Sequence, residues 1–443
     1  MRDFVTISPL REVPFETKFR WGVWLLSFVL SIGCCAPLLA AASKIPTVNA
    51  QGTMVDFANH IEYLEDPSGN GTFEEALIGS LGRFEPSPKE TPNFGFTKSA
   101  YFFRVEVQNE SAYTDFVLEI GYPHIDRVEV FYRGDDAKLV SHSGGDHRIF
   151  SARHRPHRTL NFPVKIDTGE VKPIYLRVKT DSSVQLPLRL FTERGFGDHM
   201  ARENIGNALF VGIMLVMILF NAFLYLVFPD RANLLYIGFV ASNLAVQTAL
   251  NGTLFAWMLP YYPAVANTAI VFSIFLTGIF MFLFSRTFLE LPERMPKANT
   301  VVLGIVGASF VGGILCFFLS YAIMAKLAAL TAIVIFVGTF ILGLQSFRRG
   351  YEPARYFLVA FATFLVCGVI YAFKATGFLP SNAFTDKAVL VGSALQVTLL
   401  SLALAHRFKL IQDENARVQK EIAETEQELQ EELQTRVHLI SGA

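Results

Sequence analysis

The run GNALFVGIMLVMILFNAFLYLVF, residues 206–228, decides the architecture of this chain. It contains no charged residue and is slightly longer than the roughly 20 residues that a helix needs to cross the hydrocarbon core of a bilayer. Six more apolar runs follow, separated by loops rich in proline, glycine and charged residues. The predicted spans are residues 206–228, 233–250, 265–285, 300–319, 324–345, 356–374 and 388–406. We therefore predict a domain of seven transmembrane helices at residues 204–406.

Charged residues are distributed unevenly along the 443 residues. The block 204–406 holds 10 Lys/Arg and 5 Asp/Glu, whereas residues 43–203 hold 19 and 23. The tail, residues 407–443, holds 5 and 8. Because the whole chain is only 17% charged, against roughly 25% in average soluble proteins, a wholly soluble enzyme is disfavoured. The formal net charge of −1 gives no support for nucleic-acid binding.

Residues 1–42 have the pattern of a secretory signal peptide, with basic residues before an apolar run that is interrupted by Pro37. An uncleaved anchor and a lipoprotein signal at Cys34 are alternatives, and all three export the following domain, residues 43–203. The loops between the spans carry seven positive charges on the predicted inner side and three on the outer side. This bias has the sign that the positive-inside rule requires. We expect a multi-pass membrane protein with residues 43–203 outside the cytoplasm and the C-terminus inside it.

The exported domain contains short runs in which apolar and polar residues alternate, such as Tyr101–Val107 and Ile174–Val178. About eight such runs, separated by turn residues, predict an antiparallel β-sandwich or jelly roll. The domain contains no cysteine, so it is neither a disulfide scaffold nor a thiolate zinc site.

Several stretches resemble one family of receptors. In the domain they are Tyr63–Gly69, Asn93–Phe96, Gly121–Phe131, Gly144–Asp146 and Ile174–Lys179, and in the bundle Asn221–Tyr225 and Leu234–Phe239. Together with the domain order, they are similar to the bacterial seven-transmembrane receptors with diverse intracellular signalling modules, over roughly residues 50–406. The resemblance implies a periplasmic jelly roll similar to carbohydrate-binding modules, a small ligand such as a glycan, and a cytoplasmic signalling module.

Ligand-binding candidates in the domain are aromatic and basic residues. The six candidates are Tyr101, Tyr122, Tyr132, Tyr175, Arg153 and Arg155. The tyrosines would replace the tryptophans on which sugars stack, because the domain has none; an aromatic residue on a strand is, however, more often a core residue. The candidate catalytic set is empty, because no Ser-His-Asp arrangement, phosphate loop or carboxylate pair stands out, and we expect no enzyme activity.

The two arginines belong to a loop rich in basic residues. Its other members are His142, Asp146, His147, Arg148, His154, His157 and Arg158. A metal site, an anionic ligand or lipid head group, and a solvated loop are the three interpretations, and we favour the solvated loop. The spacing matches no compact metal motif and the arginines would repel a divalent cation, so neither a metal nor a cofactor is expected.

The polar residues in the middle of the spans are neutral. Asn221, Asn243, Gln247 and Gln396 are candidates for signal relay, together with Asn415 of the tail. Ion-coupled transporters generally need buried ionisable groups, so the sequence argues against that class without excluding a pore. Neutral amides between helices are also common packing contacts.

The tail 407–443 has the spacing of a coiled coil. The seam residues are Ile411, Asn415, Val418, Ile422, Thr425 and Leu429. An asparagine at a seam position favours a parallel homodimer, and a lone amphipathic helix is the alternative. In the family, such a helix leads into an enzyme such as a diguanylate cyclase or histidine kinase. We expect the chain either to be the N-terminal portion of such a sensor or to signal through a separate protein.

The leading hypothesis is a receptor that senses a small periplasmic ligand and relays the change through seven helices to a cytoplasmic output module. Its expected partners are that ligand, membrane lipid, a second copy and the output module. A transporter or channel with an extracellular cap, and an envelope-assembly protein that holds another protein, are alternative hypotheses.

Overall fold

The structure is a computed structural model that describes residues 45–134, 138–375, 379, 384–385 and 387–441. The signal-peptide prediction concerns residues outside this part. An all-β domain comes first, and seven helices long and apolar enough to cross a membrane follow it. Both predicted architectures are confirmed.

The β domain contains two main sheets. Its strands are β1 (Thr47–Val48), β2 (Met54–Asp56), β3 (Glu62–Asp66), β4 (Glu85–Pro86), β5 (Asn93–Phe96), β6 (Ala100–Asn109), β7 (Asp115–Ile120), β8 (Arg127–Arg133), β9 (Leu139–Gly144), β10 (Leu160–Lys165), β11 (Val171–Lys179), β12 (Ser183–Gln185) and β13 (Leu188–Thr192). The larger sheet has the order β4-β3-β6-β11-β8-β9, with β1 parallel to the end of β6, and the smaller has the order β10-β7-β13-β2. Strands β5 and β12 form a separate pair.

Alternating side chains of both sheets form one buried core. Phe103 and Leu176 of the larger sheet share it with Leu118 and Phe162 of the smaller sheet. The β-branched and aromatic residues of the alternating runs supply this face, as expected for a sandwich. The jelly-roll topology remains a prediction.

The opposite face of the larger sheet is covered by the chain between β3 and β4, which includes the short helix α1 (Phe73–Leu77). The ring of Phe73 stacks on Phe131 with centroids 4.2 Å apart. Lys179 Nζ donates a hydrogen bond to the carbonyl of Gly69 at 2.8 Å. This face of the larger sheet is thus occupied by the protein's own chain.

The remaining helices build the bundle. They are α2 (Glu193–Val227), α3 (Arg231–Leu250), α4 (Thr253–Trp257), α5 (Pro263–Phe288), α6 (Leu291–Arg294), α7 (Pro296–Leu315), α8 (Tyr321–Arg348), α9 (Ala354–Ala375) and α10 (Ala388–Ser441). Helices α4 and α6 are short, and the other seven correspond to the seven predicted spans. Helix α3 packs on α5, α9 packs on α10, and α2 packs on both α3 and α10.

Two helices extend well beyond the apolar block. Helix α2 begins at Glu193, directly after β13, and the Thr192 hydroxyl caps it by accepting a bond from the Gly195 amide at 3.1 Å. Helix α10 continues for 54 residues and contains both the seventh span and the tail. The β domain and the tail are therefore each joined to the bundle by a continuous helix.

Candidate functional site

The base of the β domain lies against one end of the bundle, which we call the domain side; the end from which the tail leaves is the tail side. We call the contact between the domain and the bundle the coupling interface. Its domain residues are Glu119, His124, Phe150, Arg153, His157, Arg158 and Ser182, and its bundle residues are His199, Glu203, Leu250, Asn251, Phe255, Pro260 and Tyr321.

The end of α3 is held by two side chains of the domain. His124 Nε2 lies 2.8 Å from the Leu250 carbonyl, and because a carbonyl can only accept, Nε2 is the donor. Burial lowers the pKa of His124 to about 4, so the ring is neutral at physiological pH. Arg158 donates to the Asn251 carbonyl at 3.0 Å and forms an ion pair with Glu203 of α2. One arginine therefore connects the domain to two helices.

A second contact joins the domain to α4 and the loop after it. The Phe150 amide donates to the Pro260 carbonyl at 2.9 Å, and its ring meets Phe255 edge-on. The guanidinium of Arg153 lies 4.9 Å from the Phe150 ring centroid and 5.4 Å from that of Phe255. Such cation–π contacts are attractive, and more so when they are shielded from water. Burial lowers the pKa of Arg153 to about 10, and it remains a cation at neutral pH.

A third contact is a buried polar network between β7 and α2. Thr159 Oγ1 donates to Glu119 Oε1 at 2.6 Å, and His199 Nε2 of α2 lies 3.3 Å from Glu119 Oε2. His157 Nδ1 lies 2.7 Å from Thr159 Oγ1. Burial acts to raise the pKa of Glu119, but the bonds from His199 and Thr159 outweigh it and lower that pKa. Glu119 is therefore an ionised carboxylate inside the coupling interface.

An open cavity of about 290 Å³ lies beside the coupling interface, between β9, β10 and the loop that joins them. Four basic residues line it, His142, Arg148, Arg153 and His154, beside the neutral polar residues Ser143 and Asn161. Leu160, Phe162 and Pro163 give it an apolar wall. Its size lies near the lower end of the range of small-molecule sites, and convergent polar groups on an apolar wall are typical of them. We call it the basic cavity.

Comparison with known families agrees with this architecture. Residues 203–407 match the family model described as 7TM diverse intracellular signalling. Residues 58–192 match the model described as 7TMR-DISM extracellular 2. The chain belongs to the 7TMR-DISM family of receptors. No curated protein matches it. The receptor therefore combines an extracellular sensor domain with a seven-helix signalling bundle, as its sequence predicts.

The receptor does not bring the six candidate ligand residues into one site. Tyr101 lies in the sandwich core, stacked on Phe94 with centroids 4.4 Å apart, and Tyr132 is 6% exposed. Tyr175 lies under α1, and Tyr122 packs edge-on against His124 at the coupling interface. These positions leave no common stacking surface.

The two candidate arginines lie closer to the basic cavity than the tyrosines do. Arg153 lines it. Arg155 instead forms an ion pair with Glu193 at the start of α2, with 2.5 Å between the charged atoms.

The interpretation of residues 142–158 as a solvated loop is wrong for Asp146, Arg153, His157 and Arg158, which are buried or half-buried, whereas His147, Arg148, His154 and Arg155 are exposed. His157 is 2% exposed, and Phe150, Arg153 and Arg158 contact the bundle. Histidines and arginines usually face water, but here a second domain covers them and its carbonyls, rings and carboxylates replace the water. Nothing in this short stretch of sequence reveals the presence of that second surface.

The four candidate relay residues within the spans are buried between the helices, whereas the fifth, Asn415, is exposed. Asn221 Nδ2 donates to Ser401 Oγ at 2.9 Å, and Asn243 Nδ2 donates to Ser393 Oγ at 2.8 Å. Gln247 and Gln396 are 7% and 3% exposed. The two asparagines therefore connect α2 and α3 to α10, the helix that continues into the tail.

Asn415 lies on the exposed part of α10, outside the bundle. The seam residues Val418 and Ile422 are 46% and 54% exposed in the single chain. Exposed apolar residues at heptad spacing are the pattern of a helix that has a partner helix. The coiled coil remains a prediction.

Sequence reasoning missed three residues with clear roles. Glu119 and His199 form the buried network, and Arg407 binds Asp230 and Glu290 on the tail side at 3.5 and 3.6 Å. Glu119 carried a signal, because it is the only charged residue in the apolar run Phe116–Ile120. The other two have ordinary sequence surroundings.

Proposed function

We propose that this protein is a sensor receptor of the bacterial inner membrane and not itself an enzyme. A small anionic ligand binds the β domain on the periplasmic side and changes the coupling interface. The bundle passes that change to a cytoplasmic tail. Ligand binding shifts such a receptor only by having different affinities for its two states.

The basic cavity supports an anionic ligand. Two arginines and two histidines line it, and Arg148 is exposed, so its guanidinium is accessible to a ligand in the cavity. Guanidinium groups recognise carboxylate, sulfate and phosphate oxygens well, because their donors match the geometry of those groups. Carbohydrate is the ligand class that the family resemblance implies, and the cavity favours a sugar that carries an acidic group.

Arg153 is the observation that carries the proposal, because it belongs to both the basic cavity and the coupling interface. Arg153 lines the basic cavity, and its guanidinium also lies over the ring of Phe255 in the bundle. Its Nη1 also donates to the carbonyls of His157 and Arg158, at 2.7 and 2.5 Å. An anion near Arg153 would compete with these contacts and so alter the position of the loop on the bundle.

The bundle offers a direct path from that interface to the tail. Helices α2 and α3 contact the domain, and both bind α10 through polar bonds, including one from Tyr236 Oη to the Val397 carbonyl at 2.6 Å. Because α10 is continuous, a shift or rotation in the bundle moves the tail as well. We propose that two tails pair as a parallel coiled coil and act on an attached or separate signalling module.

Binding to the full-length receptor in lipid nanodiscs tests the ligand site. We expect acidic sugars, such as uronates and sulfated saccharides, to raise the melting temperature, and neutral sugars of the same size to have little effect. Replacing Arg148 or His154 with Gln should weaken binding of the same probe about tenfold, the loss of one charge-assisted bond. Arg83→Gln, an exposed arginine outside the cavity, is the matched control.

Equal binding by the cavity variants and the Arg83→Gln control would remove the basic cavity from the proposal. A solute-flux assay in sealed vesicles separates the receptor from the channel alternative. Ion or sugar flux through the purified protein would contradict a purely signalling role, and its absence together with ligand binding supports the receptor.

A further inference from the structure

We propose that the receptor binds one divalent transition-metal ion, of the class of Zn²⁺ and Mn²⁺, through Asp126, Asp146 and His147. One ligand atom from each of these side chains lies within 4.8 Å of the others. His147 Nε2 and Asp126 Oδ1 are 3.8 Å apart. This spacing allows all three to reach a common ion at about 2.0–2.2 Å after small side-chain adjustments.

The β8–β9 hairpin brings the two carboxylates together. The strands pair Val128 with Gly144, and the same register, continued past their ends, places Asp126 opposite Asp146. The Asp146 amide donates to the Ile125 carbonyl at 2.8 Å. Gly145 permits this close approach, because its φ is +143° and a Cβ there would lie 1.9 Å from the Asp126 carbonyl oxygen. The sequence spacing of 20 residues therefore hid a direct contact.

The two carboxylates are buried, and one of their four oxygens has no donor in the described part of the chain. Asp126 accepts bonds from the Thr180 hydroxyl at 3.1 Å and the Asp181 amide at 2.8 Å, and Asn267 of α5 bonds the Asp146 carboxylate. Asp126 is 7% exposed and Asp146 is 4% exposed. Asp146 Oδ1 is buried and has no hydrogen-bond partner among the described residues. A buried carboxylate oxygen without a partner is costly, and a bound cation would remove that cost.

His124 adds a second, independent observation. Its Nε2 must carry the proton because it donates to the Leu250 carbonyl, so Nδ1 of the neutral ring presents a lone pair. That Nδ1 lies 4.0 Å from Asp146 Oδ2, which places two acceptors opposite each other. A histidine whose far nitrogen donates to a backbone carbonyl is the usual arrangement around a metal. His124 is therefore oriented to contribute Nδ1 as a further ligand.

Two of the nearby arginines are paired away from the proposed site, which weakens the sequence-based argument against a metal. Arg155 forms its ion pair with Glu193, and Arg158 with Glu203. Arg153 Nη1 bonds backbone carbonyls of the loop, while its charge still acts on Asp146. His147 is half exposed and provides the route by which an ion enters.

The donor set selects the class of metal. Two carboxylates and one or two imidazoles suit zinc and manganese better than calcium or magnesium, which prefer oxygen ligands alone. The ion would lie beside Asn267 of α5 and next to the contact between His124 and α3. We therefore expect it to stabilise the coupling interface.

The full-length receptor in nanodiscs, with its affinity tag removed and stripped with EDTA, tests the site. After equilibration with ZnCl₂ or MnCl₂ and desalting, elemental analysis should find one equivalent per chain. Titration calorimetry should show at least a tenfold loss of Zn²⁺ affinity in Asp146→Asn and in His147→Gln. Asp115→Asn, an exposed carboxylate on β7, is the matched control and should bind as the wild type does.

His147→Gln guards against misfolding, because this side chain is half exposed; its metal-free melting temperature should equal that of the wild type. A stoichiometry near zero, or equal affinity in His147→Gln and Asp115→Asn, would refute the metal site. Displacement of Zn²⁺ by equimolar Ca²⁺ or Mg²⁺ would refute the assignment to the class of zinc and manganese. The result is separate from the ligand proposal, because Arg148→Gln should keep its metal.

Discussion

The two ends of the bundle are held in different ways. On the domain side, contacts are distributed over several helices, with His199 and Glu203 on α2, Leu250 at the end of α3, and Phe255 on α4. On the tail side, Arg407 of α10 binds both Asp230, before α3, and Glu290, after α5. The domain side is thus held by contacts spread over several helices, and the tail side by a few contacts around one arginine.

The largest expected effect comes from removing the tail-side contact. Arg407 is 8% exposed and its guanidinium also lies over the Phe288 ring, 5.7 Å from the centroid. Arg407→Gln should lower the free energy of unfolding by about 2–3 kcal/mol, less than for a fully buried pair because the carboxylates are about one-third exposed. Chemical denaturation in nanodiscs measures it.

The control for this contact is Arg417→Gln, on the same helix. Arg417 and Glu421 form an exposed pair four residues apart, which should contribute only about 0.3–0.5 kcal/mol. Equal losses in the two variants would show that Arg407 is not a specific point of attachment for α10.

The domain side should respond to pH, because its contacts include buried histidines. Burial first, and the charge of Arg158 second, lower the pKa of His157 from 6.5 to about 4. Glu119, opposite it, acts in the other direction, and His199 also faces it. Between pH 6.5 and 4 the unfolded chain therefore binds more protons at this residue than the folded chain does, so stability falls as the pH falls.

The decrease attributable to His157 should be on the order of 1–3 kcal/mol across that window and level off below it. This loss of stability is absent well above pH 6.5, where His157 is neutral in both the folded and the unfolded chain. The free energy of unfolding, measured by denaturation between pH 7.5 and 4.5, should fall more steeply with decreasing pH in the wild type than in His157→Gln. Parallel pH profiles in the two proteins would mean that His157 does not contribute to the acid sensitivity of the domain side.

Much of this architecture follows from the sequence, and the limits have a physical cause. The seven spans could be predicted because bilayer thickness fixes the length and polarity of a helix over about 20 consecutive residues. The strands could be predicted because successive side chains of a strand point to opposite faces of the sheet, so a strand with one buried face alternates apolar and polar residues. The pairing of Glu119 with His199 depends instead on residues 80 positions apart meeting across two domains.

The basic cavity and the Asp126–Asp146 pair could be predicted only in part. Their residue types were visible in the sequence, but which of them meet depends on strand register and on the turn at Gly145. The amides within the spans could be found because few polar residues occur there. Their serine partners Ser393 and Ser401 depend on the rotation of α10.

The tail beyond Arg407 offers a smaller effect that tests whether output depends on pairing of two chains. Asn415 occupies a predicted seam position, and a polar residue there specifies a dimer at a cost in stability. Asn415→Leu should tighten self-association of the full-length receptor about tenfold, or 1.4 kcal/mol. Resonance energy transfer between labels at Lys420→Cys measures this. Ala416→Leu adds a similar apolar side chain outside the seam and should change little; equal effects of both variants would contradict the coiled coil.

The smallest expected effect concerns the bonds that join the two ends through the middle of the bundle. Asn221 and Ser401 exchange hydrogen bonds at 2.9 and 3.2 Å, and such pairs within membranes average about 0.6 kcal/mol in double-mutant cycles. The cycle Asn221→Ala with Ser401→Ala should show a coupling of that size. Asn221→Ala with Ser393→Ala, whose serine bonds Asn243 instead, should show none. If both cycles gave zero coupling, the amides would not hold α10 to its neighbours, and helix packing alone would have to carry a change from the distributed contacts at the domain to Arg407.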